Sequence, residues 1–289
     1  MLLLLQSLIN GILLGGIYAS YSAGFSLIFG VMGVINLFHG EMVMLGAFLT
    51  YWIFTLFHID PFLTVPLSFF SLFIFGYLIQ RFVINRVVEA PPMSSYILTF
   101  GIHLIVAYTA LWIWTVDFRT VTTSYSGMNA NMGGVIIPYA RLATFVLALI
   151  VVAGLYFLLY RTEIGRAIQA TAQDKEIARL MGVNIRQIFA ITFGIGAAIT
   201  GIAGSLISTY FIIFPQMGLS YTIVAFCVVV LGGMGYIPGA LYGGLILGVM
   251  QSLTATYLNA GLSGALTFIL LFIMLVLRPA GILGRGIVE

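Results

Sequence analysis

Residues 142–160 read LATFVLALIVVAGLYFLLY, a run without a charge that is closed by Arg161. About 20 mostly apolar residues in a helix cross the hydrocarbon core of a bilayer, and Arg161 marks where this run leaves it. The run belongs to the block 141–160, and similar blocks lie at 2–32, 42–57, 62–80, 95–116, 187–210, 221–235, 239–258 and 262–277. Hydrophobic residues make up 62% of the chain and charged residues 7%, with a mean hydropathy of +1.16. A soluble domain carries about 25% charged residues, so this chain has too few polar groups to cover a surface facing water. In lipid the backbone must pair internally, which leaves helices or a closed barrel. Barrel strands alternate apolar and polar residues, whereas these blocks are unbroken. The expected fold is all-α: one polytopic transmembrane helical bundle over 1–289, with about eight membrane helices.

Two blocks depart from a simple span. Block 2–32 is longer than one crossing needs and is expected to tilt, bend or break at Gly15-Gly16 or at Gly30 to Gly33. Block 221–235 is short and ends in Gly232-Gly233, so it reads as a short crossing or a re-entrant half-helix. Met1 to Gln6 lacks the basic start of a cleavable signal peptide and reads as the beginning of a retained membrane segment.

Basic residues orient the bundle, because Lys and Arg are retained on the cytoplasmic side. Arg81 and Arg86 flank the link after the third block, and the link 161–186 carries five of the eleven Lys and Arg: Arg161, Arg166, Lys175, Arg179 and Arg186. Arg278 and Arg285 lie in the tail. All three regions are expected in the cytoplasm and the N-terminus outside. The polar link 117–140, with Asn129, Asn131 and Gly133-Gly134, is then external, either a passive loop or a docking surface. A net charge of +3 gives no footing for nucleic acid. Cys227 is alone and can close no intrachain disulfide.

The cytoplasmic link 161–186 carries its own punctuation. Asp174 can cap a helix by accepting backbone N–H groups, and Glu176 sits in the first turn, where the dipole favours a carboxylate. Gly182 can supply the left-handed residue that ends a helix. A two-turn helix over Lys175–Met181 follows, with Ile177, Ala178 and Met181 on one face and Lys175, Glu176 and Arg179 elsewhere. Asn184 with Gln187 has the spacing of a capping box for the next membrane helix. A short capped helix with an apolar face, held between two spans, is expected to dock a partner.

The segment Arg161-Thr-Glu-Ile-Gly-Arg-Ala-Ile-Gln-Ala-Thr-Ala-Gln-Asp-Lys-Glu-Ile-Ala-Arg-Leu-Met-Gly-Val-Asn184 resembles the cytoplasmic loop of ABC importer permeases, and most closely the LivH-type branched-chain amino acid permeases. Three further stretches are similar to that family: Ile28 to Glu41 with its Asn36-x-x-His39-Gly-Glu41 turn, Thr192 to Gly204, and Val230 to Ala240. Ile177 stands where the short E-A-A-x-x-x-G signature has alanine, and no Leu-Pro follows Gly182. The resemblance implies a permease subunit forming half of a path for branched-chain or related amino acids. It implies a second, LivM-type permease, two ABC ATPases carrying ATP and Mg, and an external substrate-binding protein. Asp174, Glu176, Ile177, Ala178, Arg179, Met181 and Gly182 would then couple to an ATPase. The setting would be a bacterial or archaeal inner membrane, and urea or short amides are the alternative cargo within the same family.

Other residues carry two readings each. Gly194, Ala197, Gly201, Gly204 and Ser208 share a helix face, and Gly239, Gly243 and Gly248 form a similar stripe. Small residues let membrane helices approach closely, within the chain or against a partner permease. Asn36, His39 and Glu41 either open a helix, with the carboxylate at its positive end, or line or gate a path. No second nearby His and no Cys completes a metal site with His39, since His58 and His103 are remote in sequence. Lys175 is the sole lysine and follows Asp174, so no Walker A exists to bind ATP. Neither G-x-S-x-G nor H-E-x-x-H occurs, and no polar catalytic set at membrane depth suggests an intramembrane enzyme. A self-sufficient secondary transporter would display coupling carboxylates within its spans, and here the charges avoid the apolar blocks. Pro215, Pro238 and Pro279 read as helix-end residues without chemistry.

Overall fold

A computed structural model describes residues 1–283 apart from Glu89 and Pro279; Pro279 and Arg285, read above as a helix end and part of the basic tail, lie outside them. The chain is a polytopic helical membrane bundle. Eight helices are long and apolar enough to cross a bilayer. They are α1 (Leu2–Met32), α2 (His39–Phe57), α3 (Val65–Phe82), α4 (Pro92–Trp114), α5 (Tyr139–Arg161), α8 (Ile185–Ile207), α10 (Ile237–Tyr257) and α11 (Ala260–Leu277). Between α5 and α8 lie the short α6 (Glu163–Gln173) and α7 (Lys175–Leu180), and α9 (Met217–Gly232) follows α8.

α1 runs unbroken through Gly15-Gly16 and ends at Gly33, whose φ of 69° closes it with an N–H to Phe29 O bond of 2.8 Å. Gly15 and Gly16 serve approach rather than bending. A Cβ on Gly15 would meet the backbone of Gly244 and Leu245, and one on Gly11 the backbone of Val249. From the other side Gly248 faces Gly11 and Gly15, and Gly243 faces Val228 of α9. Gly239 abuts Gly232. The α10 stripe therefore seats that helix between α1 and α9. The stripe on α8 does the same for α2 and α3: Gly194 lies against Phe73, Ala197 against Gly76, Gly201 against Leu72 and Gly204 against Val43. α8 is the buried axis of the bundle, whereas α11 is mostly exposed along its length and α4 has few buried positions.

One end of the bundle carries a β-hairpin, β1 (Asn129–Met132) and β2 (Val135–Pro138), inside the link 117–140. Gly133 and Gly134, with φ of 60° and 91°, form its turn, the pattern of the hairpin turns that match strand twist. Gln6 holds it to α1 by accepting from Ile136 N and donating to Ile136 O, each at 2.8 Å. Arg119 bridges to Ile213, so this end also receives the segment after α8. The opposite end carries α6 and α7.

The short block becomes α9, which runs toward the α7 end of the bundle. α9 has 16 residues, about 24 Å at 1.5 Å per residue, less than the roughly 30 Å of a hydrocarbon core. Its first turn meets Gly40 in the interior, and its exit at Gly235 lies against Gly30, near the α7 end of α1. The irregular segment from Ile213 at the hairpin end supplies the remaining depth. Residues 208–232 thus run from the hairpin end of the bundle toward the α7 end.

Candidate functional site

The link between α5 and α8 is built by local chemistry. Thr162 caps α6 by accepting from Gly165 N at 3.0 Å. Asp174 caps α7, its carboxylate accepting from Glu176 N at 2.8 Å and Ile177 N at 3.0 Å. Gly182 leaves α7 at φ 85°, and Val183 N returns to Ala178 O at 3.1 Å. Asn184 accepts from Gln187 N at 3.2 Å and opens α8. Arg166–Glu163 and Arg179–Glu176 pair across exposed turns at 3.8 and 3.6 Å, contacts worth little in water.

The apolar face of α7 differs from the expected one in one member. Ala178 is 3% exposed and packs inward, while Leu180 and Met181 are 86% and 80% exposed and Ile177 60%. At about 100° per residue Leu180 stands about 200° round the helix from Ala178 and Ile177 about 100°, so both turn away from the buried side, and Met181, the C-cap just past the last helical residue, is exposed beside them. The outward patch is Ile177–Leu180–Met181, and Leu180 is the residue sequence reading missed.

Lys175 also has a role that spacing did not reveal. Its Nζ donates to Met32 O at 3.3 Å and lies 5.4 Å from the Phe189 ring centre. The ammonium thus satisfies one of the carbonyls left open at the C-terminus of α1, and α7 is tied directly to α1 and α8. Gln169 separately ties α6 to α5, donating to Leu159 O at 2.6 Å.

From Met32 the chain enters the bundle through the non-helical residues 33–38 and starts α2 at His39. Irregular backbone at membrane depth persists only where protein satisfies it, and here it does. Asn36 Oδ1 accepts from Phe38 N at 3.1 Å. His39 Nε2 lies 2.8 Å from Tyr21 O and 3.1 Å from Thr200 Oγ1. A carbonyl can only accept, so Nε2 carries the proton. Gly40 N donates to Thr222 Oγ1 at 2.8 Å, and Thr222 Oγ1 donates to Leu37 O at 3.2 Å. Glu41 Oε1 is 2.8 Å from His103 Nδ1 of α4.

The turn therefore joins α1, α2, α4, α8 and α9. The Glu41 carboxylate occupies the first turn of α2 and lies against Gly218 in the first turn of α9, so two helix N-termini face it. Asn36, His39 and Glu41 are each 0% exposed. The arrangement holds a helix start in place at the meeting point of five helices. The partners His103, Thr200 and Thr222 stand far off in sequence, which is why the Asn36–Glu41 motif alone did not name them. No group of three or more His, Cys, Asp or Glu able to hold a metal occurs among the described residues. Cys227 is buried, its Sγ 3.4 Å from Thr267 O.

Comparison with known proteins follows this geometry over nearly the whole chain. The family described as branched-chain amino acid transport system / permease component matches residues 7–277. The permease protein BraD of Pseudomonas aeruginosa, of a high-affinity branched-chain amino acid transport system, is 33% identical over 298 aligned positions, covering 99% of this chain and 97% of BraD. LivH of Escherichia coli, of a system with the same description, is 32% identical with the same coverage of each chain. A probable LivH permease of the archaeon Methanocaldococcus jannaschii is 28% identical, covering 90% of this chain and 86% of its own. No solved structure matches.

Proposed function

The chain belongs to the branched-chain amino acid transport permease family, and we propose that it is one half of the membrane pathway of an ATP-driven importer in the inner membrane. A second permease of the same family forms the other half. Two ATPase subunits bind ATP and Mg on the cytoplasmic side, and an external binding protein delivers a branched-chain amino acid. The orientation follows from the basic residues of the α6–α7 end, which faces the cytoplasm.

The observation that carries this reading is α7. Three large apolar side chains, Ile177, Leu180 and Met181, stand in water on a helix capped at both ends, and exposed apolar clusters of this kind mark docking surfaces. The same helix holds the end of α1 through Lys175. A displacement of α7 by an ATPase is therefore passed to α1 and to the turn at Asn36–Glu41 that starts α2.

Reconstitution tests the reading. This permease, its partner permease and the two ATPases are assembled in proteoliposomes with the binding protein and labelled leucine. ATP-dependent leucine uptake is expected with the full set, and none when the ATPases are omitted. Uptake driven by ATP in vesicles holding this chain alone would refute the division of labour.

A further inference from the structure

A cavity of about 540 Å³ opens between the last turn of α3, the 3-10 turn Ile84–Arg86 and the first turns of α8. Arg81, Arg86 and Arg186 all line it, with Tyr77, Asn85 and Asn184. Every described residue lining it is basic or neutral. Its walls are held by a hydrogen-bond chain: Gln80 Nε2 donates to Asn85 Oδ1 at 3.0 Å, and Asn85 Nδ2 donates to Arg186 O at 3.2 Å. Arg81 is oriented by Tyr77, its Nη1 donating to the phenol oxygen at 2.7 Å.

A guanidinium offers a planar fork of donors that matches a phosphate. The N-terminal end of the 23-residue α8 adds its dipole to the same field. The cavity also sits where a lipid would. Leu67, Phe70, Ile74, Leu78 and Phe82 run along α3 at helical spacing, each 44–61% exposed, and this strip ends beside Arg81. An anion in the cavity thus adjoins a continuous apolar surface long enough for an acyl chain. Basic pockets between membrane helices on the cytoplasmic side bind anionic headgroups in this way.

We propose that the cavity bounded by Arg81, Arg86 and Arg186 binds the phosphodiester headgroup of an anionic phospholipid, whose acyl chain lies along the exposed strip of α3. A free phosphate would use the arginines and leave the strip unexplained. An ATPase has its own outward surface on α7. The site begins two residues after Gly182, so an occupied headgroup braces the start of α8 beside the docking helix. The inference rests on the membrane fold and stands apart from the identity of the cargo.

The test uses the full chain purified in a neutral detergent, with lipid binding measured by native mass spectrometry. Phosphatidylglycerol and cardiolipin are expected to bind, and phosphatidylcholine to bind far more weakly. Each of Arg81→Gln, Arg86→Gln and Arg186→Gln should weaken phosphatidylglycerol about fivefold, and the triple variant about a hundredfold, following the usual contribution of a basic side chain near a membrane. Arg81→Lys and Arg186→Lys should retain most of the binding, which separates charge from misfolding. Arg278→Gln, at the same end of the bundle but outside the cavity, should change nothing. Equal losses from Arg278→Gln would show diffuse attraction and overturn the site. Displacement of lipid by millimolar inorganic phosphate or glycerol phosphate would identify a free-anion site instead. If the triple variant bound lipid normally but no longer co-purified with ATPase subunits, the surface would be a protein interface and the proposal would fall.

Discussion

Gly182, Leu180 and Lys175 divide the work of the docking helix, and each supports a separate prediction. Gly182 sits at φ 85° with open space around it, so its substitution is resisted by the backbone alone. Gly182→Val should raise the cost of that conformation by about 1–3 kcal/mol and turn the end of α7, while membrane abundance stays normal. ATPase co-purification should fall, and normal co-purification would separate α7 from ATPase docking. Leu180 is the cleaner probe of the outward patch because it is the most exposed of the three. Leu180→Glu keeps the helix and places a carboxylate in the proposed interface, where an unpaired charge costs about 3–5 kcal/mol. Ala178→Glu would instead push a charge into the chain's own core, because Ala178 is buried, and would report on folding. Lys175 differs again, since its ammonium reaches Met32 O. Lys175→Met should leave ATPase association intact while lowering leucine taken up per ATP hydrolysed in the reconstituted complex. Unchanged uptake per ATP would mean that the tie to α1 transmits nothing.

At the scale of the helix, close backbone approach replaces the hydrophobic drive that lipid removes. α1 and α10 meet through Gly11, Gly15, Gly244 and Gly248, and a Cβ at any of these would collide with the facing backbone. Gly15→Leu must therefore force the helices apart, at a cost of about 1–3 kcal/mol or more. Gly101 in the middle of α4 has nothing within 4 Å of an added Cβ, so Gly101→Ala should be nearly silent. Thermal unfolding of the two purified variants checks the contrast, and equal melting temperatures would dissolve the seam. What could be read in advance at this scale follows the range of the chemistry. Asp174, Gly182 and Asn184 act on residues two to four positions away, so their caps were legible in the string of letters. The small-residue stripes showed that α8 and α10 pack closely but not against what. Ala178 points inward because it joins the core cluster of the bundle, and His39 meets Thr200 because α1, α2 and α8 converge. Neither fact has a local signal. Gly15-Gly16 shows the same limit from the other side: a pair able to break a helix instead admits a neighbouring helix.

For the molecule as a whole, the status of α9 decides the topology, because one short helix sets the parity of the chain. If residues 208–232 cross, the eight long helices and α9 make nine passes among the described residues, with the start of α1 and the hairpin outside and α6, α7 and the end of α11 in the cytoplasm. If they return to the side from which they entered, the turn between α9 and α10 lies outside and the end of α11 changes side. The close approaches of Gly30 to Gly235 and of Gly232 to Gly239 place that turn at the α7 end, which favours crossing. The basic residues agree, since Arg278 then shares a side with Lys175 and Arg186. Single cysteines in a Cys227→Ser background test the parity directly, because Cys227 is the sole native thiol. Met234 and Tyr236 in the turn are 39% and 42% exposed and accept a reporter without opening the core. A membrane-impermeant maleimide should label a cysteine at Asn129 in intact cells. Cysteines at Gln173 and Tyr236 should react only after the membrane is opened. Labelling of Tyr236→Cys from outside, with Gln173→Cys still protected, would make α9 re-entrant. It would also detach the turn beside Gly30 from the cytoplasmic end.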